Sequence, residues 1–422
     1  MDFISFLSEY FKATSQVIVV TWWFAFPIAL FYLFKNLWYK YIIGEYYKKL
    51  DRVLLEIKPP RNIEKSPKTM EQVISTLYGV YSSRNLFDMW FEGKYHQDTF
   101  SFEIVGIDGK MHFFCQLPRR DRNMFEAAVF GHYPEAEIEE VEDYTLKVPK
   151  DIPNPEWNLF GSDYKLAKED AYPIRTYKYF QDDVTKGMID PLATLADTIG
   201  GLSPGSQIWM QVMFTPVKDA DWIAMVKAVV AKIAKKEVKS NPGFLSRIFG
   251  GIFSFIGIII GGIFKPIEFE AEKKSEEKPF RWTITPGEES ALQAVEESAN
   301  KKGFIVKIRY IYLARHEVFS KDFAYAANGF LMQFGDQNLN YIVAENQTKT
   351  YANYFFIDPR TRYVQRKLLT RYRDRDYDGP AMFLNSEELA TIIHLPDMSV
   401  VSPSIQRVEA KKGGPPQNLP VE

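Results

Sequence analysis

The side chains that commonly do chemistry in proteins are few in this sequence, and they are scattered. The histidines do not have the spacing of metal ligands, and the single cysteine, Cys115, cannot supply a pair of thiolates. Cys115 lies in an alternating apolar stretch and fits a reducing compartment, so we expect a buried structural thiol. The sequence therefore predicts neither a metal site nor a cofactor. The five histidines are His96, His112, His132, His316 and His394.

Motifs for binding phosphate or activating a nucleophile are also absent from the sequence. The pattern G-x-x-x-x-G-K-[ST] does not occur, and neither does G-x-S-x-G. Carboxylates are dense between Glu135 and Asp143, but Ile138 and Val141 alternate with them. That alternation is typical of an exposed edge strand rather than of a catalytic pair. Together these features indicate a protein that is not an enzyme.

A basic stretch near the C-terminus is the main candidate for contacts with phosphate groups. Aspartates are interleaved with its cations, so a solvated surface of self-paired charges is favoured. Under the alternative interpretation, Arg366, Lys367 and Arg371 would contact phosphates. The net charge of −2 and the missing RNP1 pattern argue against direct binding of nucleic acid. The stretch contains Arg360, Arg362, Arg366, Lys367, Arg371, Arg373 and Arg375, with Asp358, Asp374, Asp376 and Asp378.

The elements that would position these residues predict an α+β protein with two ferredoxin-like sandwich domains. Residues 51–147 follow the order β-α-β-β-α-β, the split βαβ pattern, with Asp108-Gly109 as a hairpin turn. Residues 148–173 are rich in Pro and Asp and are predicted to be a linker. Residues 174–340 predict a second α+β domain of the same kind, and 341–422 a C-terminal extension and tail. The 33 phenylalanines and 24 tyrosines suffice for large cores.

An uncharged apolar run, Val17–Phe34, dominates the N-terminal segment 1–50. With the residues just before it, the run reaches about 20 residues, which is the length of a helix that spans a bilayer. Trp22 and Trp23 lie within it, and Pro27 is tolerated in membrane helices. Acidic residues precede the run, which argues against a signal peptide. Because basic residues follow it, we expect a single-pass anchor in the cell membrane (inner or plasma), with the N-terminus outside and the soluble domains cytoplasmic.

A second uncharged stretch, Ile248–Phe264, lies in an insertion of the second domain at residues 240–278. Its small residues recur every three or four positions, so they share one face of a helix, while Ile259 lies among the apolar residues. A membrane crossing here would divide the second domain. We therefore expect a helix or hairpin that lies in the membrane interface, the alternative being an apolar loop covered by a partner. The small residues are Gly250, Ser254, Gly257 and Gly261.

Three segments resemble a known group of proteins. VLLEIKPPRNIEKSPKTMEQV (Val53–Val73) and YPEAEIEEVEDYT (Tyr133–Thr145) resemble the N-terminal membrane-anchored region of a bacterial family found in small-genome lineages. Leu384–Pro420 resembles the segment that leads into the ATPase core of TraG/TraD-like conjugation ATPases of type IV secretion. The resemblance implies that ATPase activity comes from another polypeptide, and no catalytic residue is carried over.

The combined expectation is a non-enzymatic, membrane-anchored cytoplasmic subunit of a type IV secretion-like machine. It would contact membrane lipid, could form a homo-oligomer, and would serve as platform or adaptor for a P-loop ATPase supplied in trans. Leu389, Ile392 and Ile393 form the apolar side of a short predicted helix and are the candidates for docking the motor. The alternatives are that this helix packs onto the second domain, and that the protein is a membrane-tethered nucleic-acid binder or a freestanding membrane scaffold.

Overall fold

A long N-terminal helix leads into a body built around one large antiparallel sheet. The computed structural model describes residues 3–60, 67–94, 97–180, 189–234, 285–351, 355–377, 379–397, 400, 402–405 and 407. In helix α1 (Phe3–Lys49), most side chains from Trp22 onward are described. Nine strands lie in these ranges; eight have the order β4-β1-β3-β2-β6-β7-β5-β8, and β9 pairs with β7.

The first half of the body contributes strands β1 to β4. Their order across the sheet is β4-β1-β3-β2, and all three neighbouring pairs are antiparallel. Asp108 and Gly109 both have positive φ, 48° and 79°, as the tight hairpin between β2 and β3 requires. The elements are β1 (Arg52–Lys58), α2 (Pro67–Leu77), α3 (Leu86–Trp90), β2 (Phe100–Ile107), β3 (Lys110–Pro118), α4 (Arg122–His132) and β4 (Glu137–Glu140).

The second half repeats this order with its own strands, as β8-β5-β7-β6. Three C-terminal elements then return to the body. The elements of the second half are β5 (Trp157–Leu166), α5 (Leu192–Gly200), β6 (Ser206–Pro216), α6 (Asp219–Ile233), α7 (Pro286–Ser298), β7 (Gly303–Arg315), α8 (Lys321–Ala324), α9 (Ala326–Met332) and β8 (Ile342–Ala344). They are followed by α10 (Ile357–Arg373), β9 (Met382–Asn385) and α11 (Ser386–Ile392).

The two halves meet along β2 and β6, which pair antiparallel from Phe100↔Phe214 to Ile107↔Gln207. The Phe100 and Phe214 rings stack with their centroids 5.5 Å apart. β6 is buried along nearly its whole length because it lies between β2 and β7 and is covered on both faces. This pairing makes one continuous sheet of what we expected to be two separate sandwich domains.

The two faces of the sheet carry different layers. On one face, α2, α4, α5, α9 and α11 enclose the main hydrophobic core. On the other face, α10 packs Leu368, Leu369 and Tyr372 against residues such as Trp209. A side chain at Gly161 of β5 would meet Tyr310 O at 2.5 Å and Leu368 Cδ2 at 2.7 Å, so this glycine permits the close approach of α10.

The structure corrects the predicted N-terminal transmembrane helix. Among the residues described, no helix combines the length and apolar character that a membrane crossing requires, so this part of the predicted fold is wrong. α1 instead continues through Lys35 and Lys40 to Lys49, and its last turns belong to the body. There Tyr46 Oη donates to Asp98 Oδ1 over 2.9 Å.

The ranges predicted as a linker and a C-terminal extension also contain parts of the sheet. Within residues 148–173, β5 pairs with β7 on one side and with β8 on the other. Within residues 341–422, β8 extends the sheet, β9 pairs with β7, and α11 packs against α2. Polar, proline-rich composition misled the prediction here, since both ranges carry short apolar segments that are buried only by distant neighbours.

Candidate interaction surface on helices α1 and α3

Two buried carboxylates of the sheet, Asp163 and Glu103, are held in ion pairs beneath α10. Asp163 accepts from Arg309 Nε at 2.8 Å and from Arg371 Nη1 at 2.9 Å. Glu103, which is fully buried, accepts from Arg375 Nε at 3.0 Å and from Gln211 Nε2 at 2.9 Å. Each charge has an opposite charge and further hydrogen bonds, which is what burial of ions requires.

Burial and charge act together on the groups around Glu103. Burial by itself would lower the pKa of Arg375, but the negative charge of Glu103 and the bond to Asp143 outweigh it and raise that pKa well above its usual value. Burial raises the pKa of Tyr144 well above its usual value, and the nearby charge of Glu103 adds to this. The groups therefore keep one protonation state at neutral pH, as structural ion pairs do.

The basic stretch of residues 360–375 is divided by the fold. Arg371 and Arg375 are buried, and Arg373 donates to the carbonyl oxygens of Thr145, Val148 and Pro149. Carboxylates from distant strands and loops pair with these two cations, Asp163 with Arg371, and Glu103 and Asp143 with Arg375. Of the three candidate phosphate ligands, Arg366 and Lys367 are exposed on α10, whereas Arg371 is bound to Asp163.

The three residues proposed to dock a motor lie in the core. Leu389, Ile392 and Ile393 are at most 1% exposed, so they are unavailable to a partner in this structure. The helix that carries them, α11, packs against α2 of the first half rather than onto the second half alone. Its N-cap, Asn385, accepts from the backbone N–H groups of Glu387 and Glu388. The predicted docking role of these residues is therefore wrong, because the rest of the protein already buries the apolar side of the helix.

The remaining candidates for chemistry have structural contacts. His394 Nε2 lies 2.9 Å from Asp190 Oδ1, and His112 Nδ1 lies 2.7 Å from Glu56 Oε1. Cys115 is fully buried, and burial raises its pKa well above the usual value, which disfavours the reactive thiolate. In the described ranges, no group of His, Cys, Asp and Glu side chains is arranged to hold a metal ion. His96 lies outside those ranges.

The residues once assigned to the anchor are largely exposed on α1. Trp22, Trp23 and Phe34 are each more than half exposed, and Pro27 is exposed as well. The side chain of Val17 lies outside the described part of α1. Large apolar side chains with this much exposure form an unusual surface for a folded protein.

Helix α3 docks against the C-terminal part of α1. Trp38 Nε1 donates to the carbonyl oxygen of Trp90 over 2.7 Å, and the Tyr39 and Trp90 rings have centroids 4.9 Å apart. Gly93 has a φ of 71°, and a side chain there would meet Ile42 O at 2.3 Å. The two helices therefore make close backbone and ring contacts rather than a loose approach.

Large exposed apolar residues gather on these two helices. We call them the α1–α3 surface. Phe87 and Phe91 stack at 5.1 Å, and Trp38 contacts both Phe34 and Tyr41. The members, each more than half exposed, are Phe34, Leu37, Tyr41, Leu86, Phe87 and Phe91.

A protein family described as a domain of unknown function, DUF8128, matches residues 45–408. The chain belongs to this family. No curated protein matches the chain. The DUF8128 match begins in the last turns of α1 and includes strands β1 to β9 and helices α2 to α11 of the described ranges, and hence the α3 part of the α1–α3 surface.

Helix α3 of this DUF8128 protein is an exposed element that the sequence prediction missed. A signal was present, since Asn85 and Asp88 form a capping box in front of an apolar run. The second predicted membrane element lies outside the described residues. It comprises Gly250, Ser254, Gly257, Ile259 and Gly261.

Proposed function

We propose that this DUF8128 protein is a non-enzymatic platform of a type IV secretion-like machine, which works at a lipid surface and holds a P-loop ATPase supplied in trans. One observation carries the proposal. The large side chains left exposed on α1 and α3 are apolar and aromatic, whereas the buried carboxylates Asp163 and Glu103 of the sheet are held in ion pairs. Such a distribution fits a binding protein better than a catalyst.

Lipid is the favoured partner of the α1–α3 surface. Aromatic and aliphatic side chains with neighbouring lysines are typical of helices that lie at the headgroup level. Lys35 lies 5.7 Å from the centre of the Tyr39 ring, and Lys40 is exposed beside the surface. Burying each large apolar side chain is worth about 1.5–3 kcal/mol before ordering costs, so a few suffice for reversible attachment. This attachment requires no helix to cross the bilayer.

Flotation of the full chain with anionic liposomes tests the lipid contact. The triple variant Leu86→Ser/Phe87→Ser/Phe91→Ser should lower the bound fraction, because it removes exposed apolar contacts without touching the core. Tyr325→Ser/Met332→Ser is the matched control, since both side chains are more than half exposed on other elements. Equal flotation of both variants and the wild type would overturn the role of α3.

The motor partner rests on the resemblance of Val53–Val73, Tyr133–Thr145 and Leu384–Pro420 to secretion proteins. Because β9 and α11 belong to the body, a truncation before them would unfold the protein rather than test docking. Residues 408–422, which follow the described fold and include the last part of the third segment, are the range to delete. We expect pull-down from membranes to recover a P-loop ATPase with the wild type and to lose it after this deletion. Recovery of the same ATPase with both chains, or with neither, would contradict the proposal.

A second function, binding of nucleic acid, is favoured by the outer face of α10. Arg362, Arg366 and Lys367 are exposed there together with Tyr363, while the apolar face of the helix is covered by the sheet. Cations with an exposed ring suit a single strand, which offers phosphates and unstacked bases. Fluorescence anisotropy with a labelled single-stranded oligonucleotide should then show weaker binding by Arg366→Glu/Lys367→Glu. Binding by Lys48→Glu/Lys49→Glu should equal that of the wild type. Equal binding by both variants would exclude this surface.

A further inference from the structure

The strands at the two ends of the eight-strand path, β4 and β8, both leave backbone groups turned outward. In β8, Ala167 N donates to Tyr341 O over 3.0 Å, and Glu345 N donates to Asp163 O over 2.8 Å. Bonded pairs alternate along an antiparallel ladder, so Val343 also bonds to β5, while Ile342 and Ala344 face away from it. Among the described residues, none forms a hydrogen bond with the outward N–H and C=O groups of these two residues.

Strand β4 has the same arrangement at the opposite edge. Val141 N donates to Leu54 O over 3.0 Å, in register with the pairing of Glu139 and Glu56. The alternation therefore turns the N–H and C=O groups of Ile138 and Glu140 away from β1. Within the described part of the chain, these groups too have no backbone partner.

The free edge of β8 opens onto a groove. Its volume is about 600 Å³, and Met332 of α9, Tyr341 to Ala344 and Lys349 are among its lining residues. Met332 is 69% exposed, which leaves an apolar side chain uncovered beside the strand. An edge with unpaired backbone groups next to an open groove is the geometry of strand addition.

We propose that β4 of a second copy of this chain adds to β8, so that copies join edge to edge in an open row. In the favoured antiparallel register, Ile342 is opposite Glu140, Val343 opposite Glu139, and Ala344 opposite Ile138. The outward groups of the two strands then form four backbone hydrogen bonds. Ile138, Ile342 and Ala344 all pack on the helix-covered face of their own sheet, so the two sheets continue with helices on the same side.

Charge favours the β4–β8 pairing over the symmetric pairing of two β4 edges. The β4 edge carries Glu137 and Glu139, and Glu139 is bound to Lys58 at 2.6 Å. The β8 edge has Lys165, which is bound to Glu345 at 2.6 Å, and Lys349 in the groove. With these partners counted, the charges of the first group sum to −1 and those of the second to +1. Two β4 strands side by side would oppose glutamate to glutamate, which destabilises a ladder. When β4 of one copy pairs with β8 of another, the dimer still has one free β8 and one free β4. Further copies can therefore add at both ends, and the row does not close into a ring. The strands are short, with four and three residues, so a high local concentration favours the contact.

Disulfide trapping tests the register with the full chain. Val343→Cys chains mixed with Glu139→Cys chains should form a cross-linked dimer, because opposed residues of a non-bonded pair have the short Cβ separation that a disulfide needs. Val343→Cys chains alone should not cross-link with one another. The native Cys115 is fully buried and does not compete. Absence of the mixed product, or equal yield from Val343→Cys alone, would overturn the proposal.

A charge exchange provides a second measurement. Sedimentation of the full chain at increasing concentration should show association. Glu137→Lys/Glu139→Lys should abolish it, and adding Lys165→Glu to that variant should partly restore it. Circular dichroism of each variant verifies the fold. If Val343→Cys chains form a disulfide only with a different protein, the occupant of the β8 edge is an extended segment of that protein. That result would overturn self-assembly. Liposome flotation of the Val343→Cys chain, whose net charge is unaltered, should equal that of the wild type, so failure here is distinct from failure of the lipid proposal.

Discussion

Arg375 forms a buried ion pair with Glu103 through two hydrogen bonds. Its Nε lies 3.0 Å from Glu103 Oε1, and its Nη2 lies 3.1 Å from Glu103 Oε2. Glu103 belongs to β2 of the first half, whereas Arg375 follows α10 near the C-terminus, 272 residues away. The pair is buried, and Asp143 is bonded to the same guanidinium. The ion pair therefore holds the C-terminal end of α10 against β2, the strand of the first half that pairs with β6.

Loss of one partner of this pair should destabilise the fold strongly. Arg375→Met leaves Glu103 buried with no cation of its own, which typically costs about 3–5 kcal/mol. Glu103→Leu/Arg375→Met removes both charges and should recover much of that loss. Urea unfolding followed by circular dichroism gives the three free energies. If Arg375→Met unfolds within about 1 kcal/mol of the wild type, the pair does not hold the halves together.

Helix α11 should behave as core. Leu389→Ala and Ile392→Ala each remove a fully buried aliphatic group and should lower the free energy of unfolding by about 2–5 kcal/mol. Tyr363→Ala, on the exposed face of α10, is the matched control and should change it by about 0.5 kcal/mol or less. Thermal denaturation of the three variants would measure the difference. Unfolding free energies near wild type for both α11 variants would reopen these residues as a docking site.

Acid should weaken the fold through Asp190. Burial alone would raise the pKa of Asp190, but the charge of His394 and the bonds from His394 and two backbone N–H groups outweigh it and lower that pKa below 3.8. A carboxyl whose pKa is lower in the folded state stabilises the fold above its unfolded pKa, and this contribution is lost as pH falls through the folded pKa. The wild type should therefore lose more stability than Asp190→Asn below about pH 4. Urea unfolding at a series of acidic pH values measures this, and parallel curves for both proteins would contradict it.

The docking of α3 on α1 depends on Gly93. Gly93→Ala forces a side chain against Ile42 O and places alanine at a φ of 71°, so it should loosen residues 84–94. Limited proteolysis would report this as faster cleavage in that segment. Gly131→Ala is the control, because nothing lies within 4 Å of its added side chain and it lies in the regular helix α4. Equal cleavage of both variants would show that the α3 contact is loose already.

The sequence by itself determined the local elements. Alternating apolar residues around Asp108-Gly109 predict the β2–β3 hairpin, and the structure has it, because a two-residue turn with positive φ sets the register of its own strands. The helical spacing of Met70, Val73, Ile74 and Leu77 likewise predicts the buried face of α2. These features depend on neighbours within a few residues of one another.

Only the tertiary structure decided which edges and faces meet. The pairing of β2 with β6, the union of Glu103 with Arg375 and the cover over Leu389 join residues that are far apart in the chain. A local pattern shows that a face is apolar, but not which partner buries it, so α11 looked like a free docking helix and α3 passed unnoticed. The length of the apolar run in α1 predicts a membrane span. Whether α1 is one depends also on how the helix continues and on the body against which its end packs.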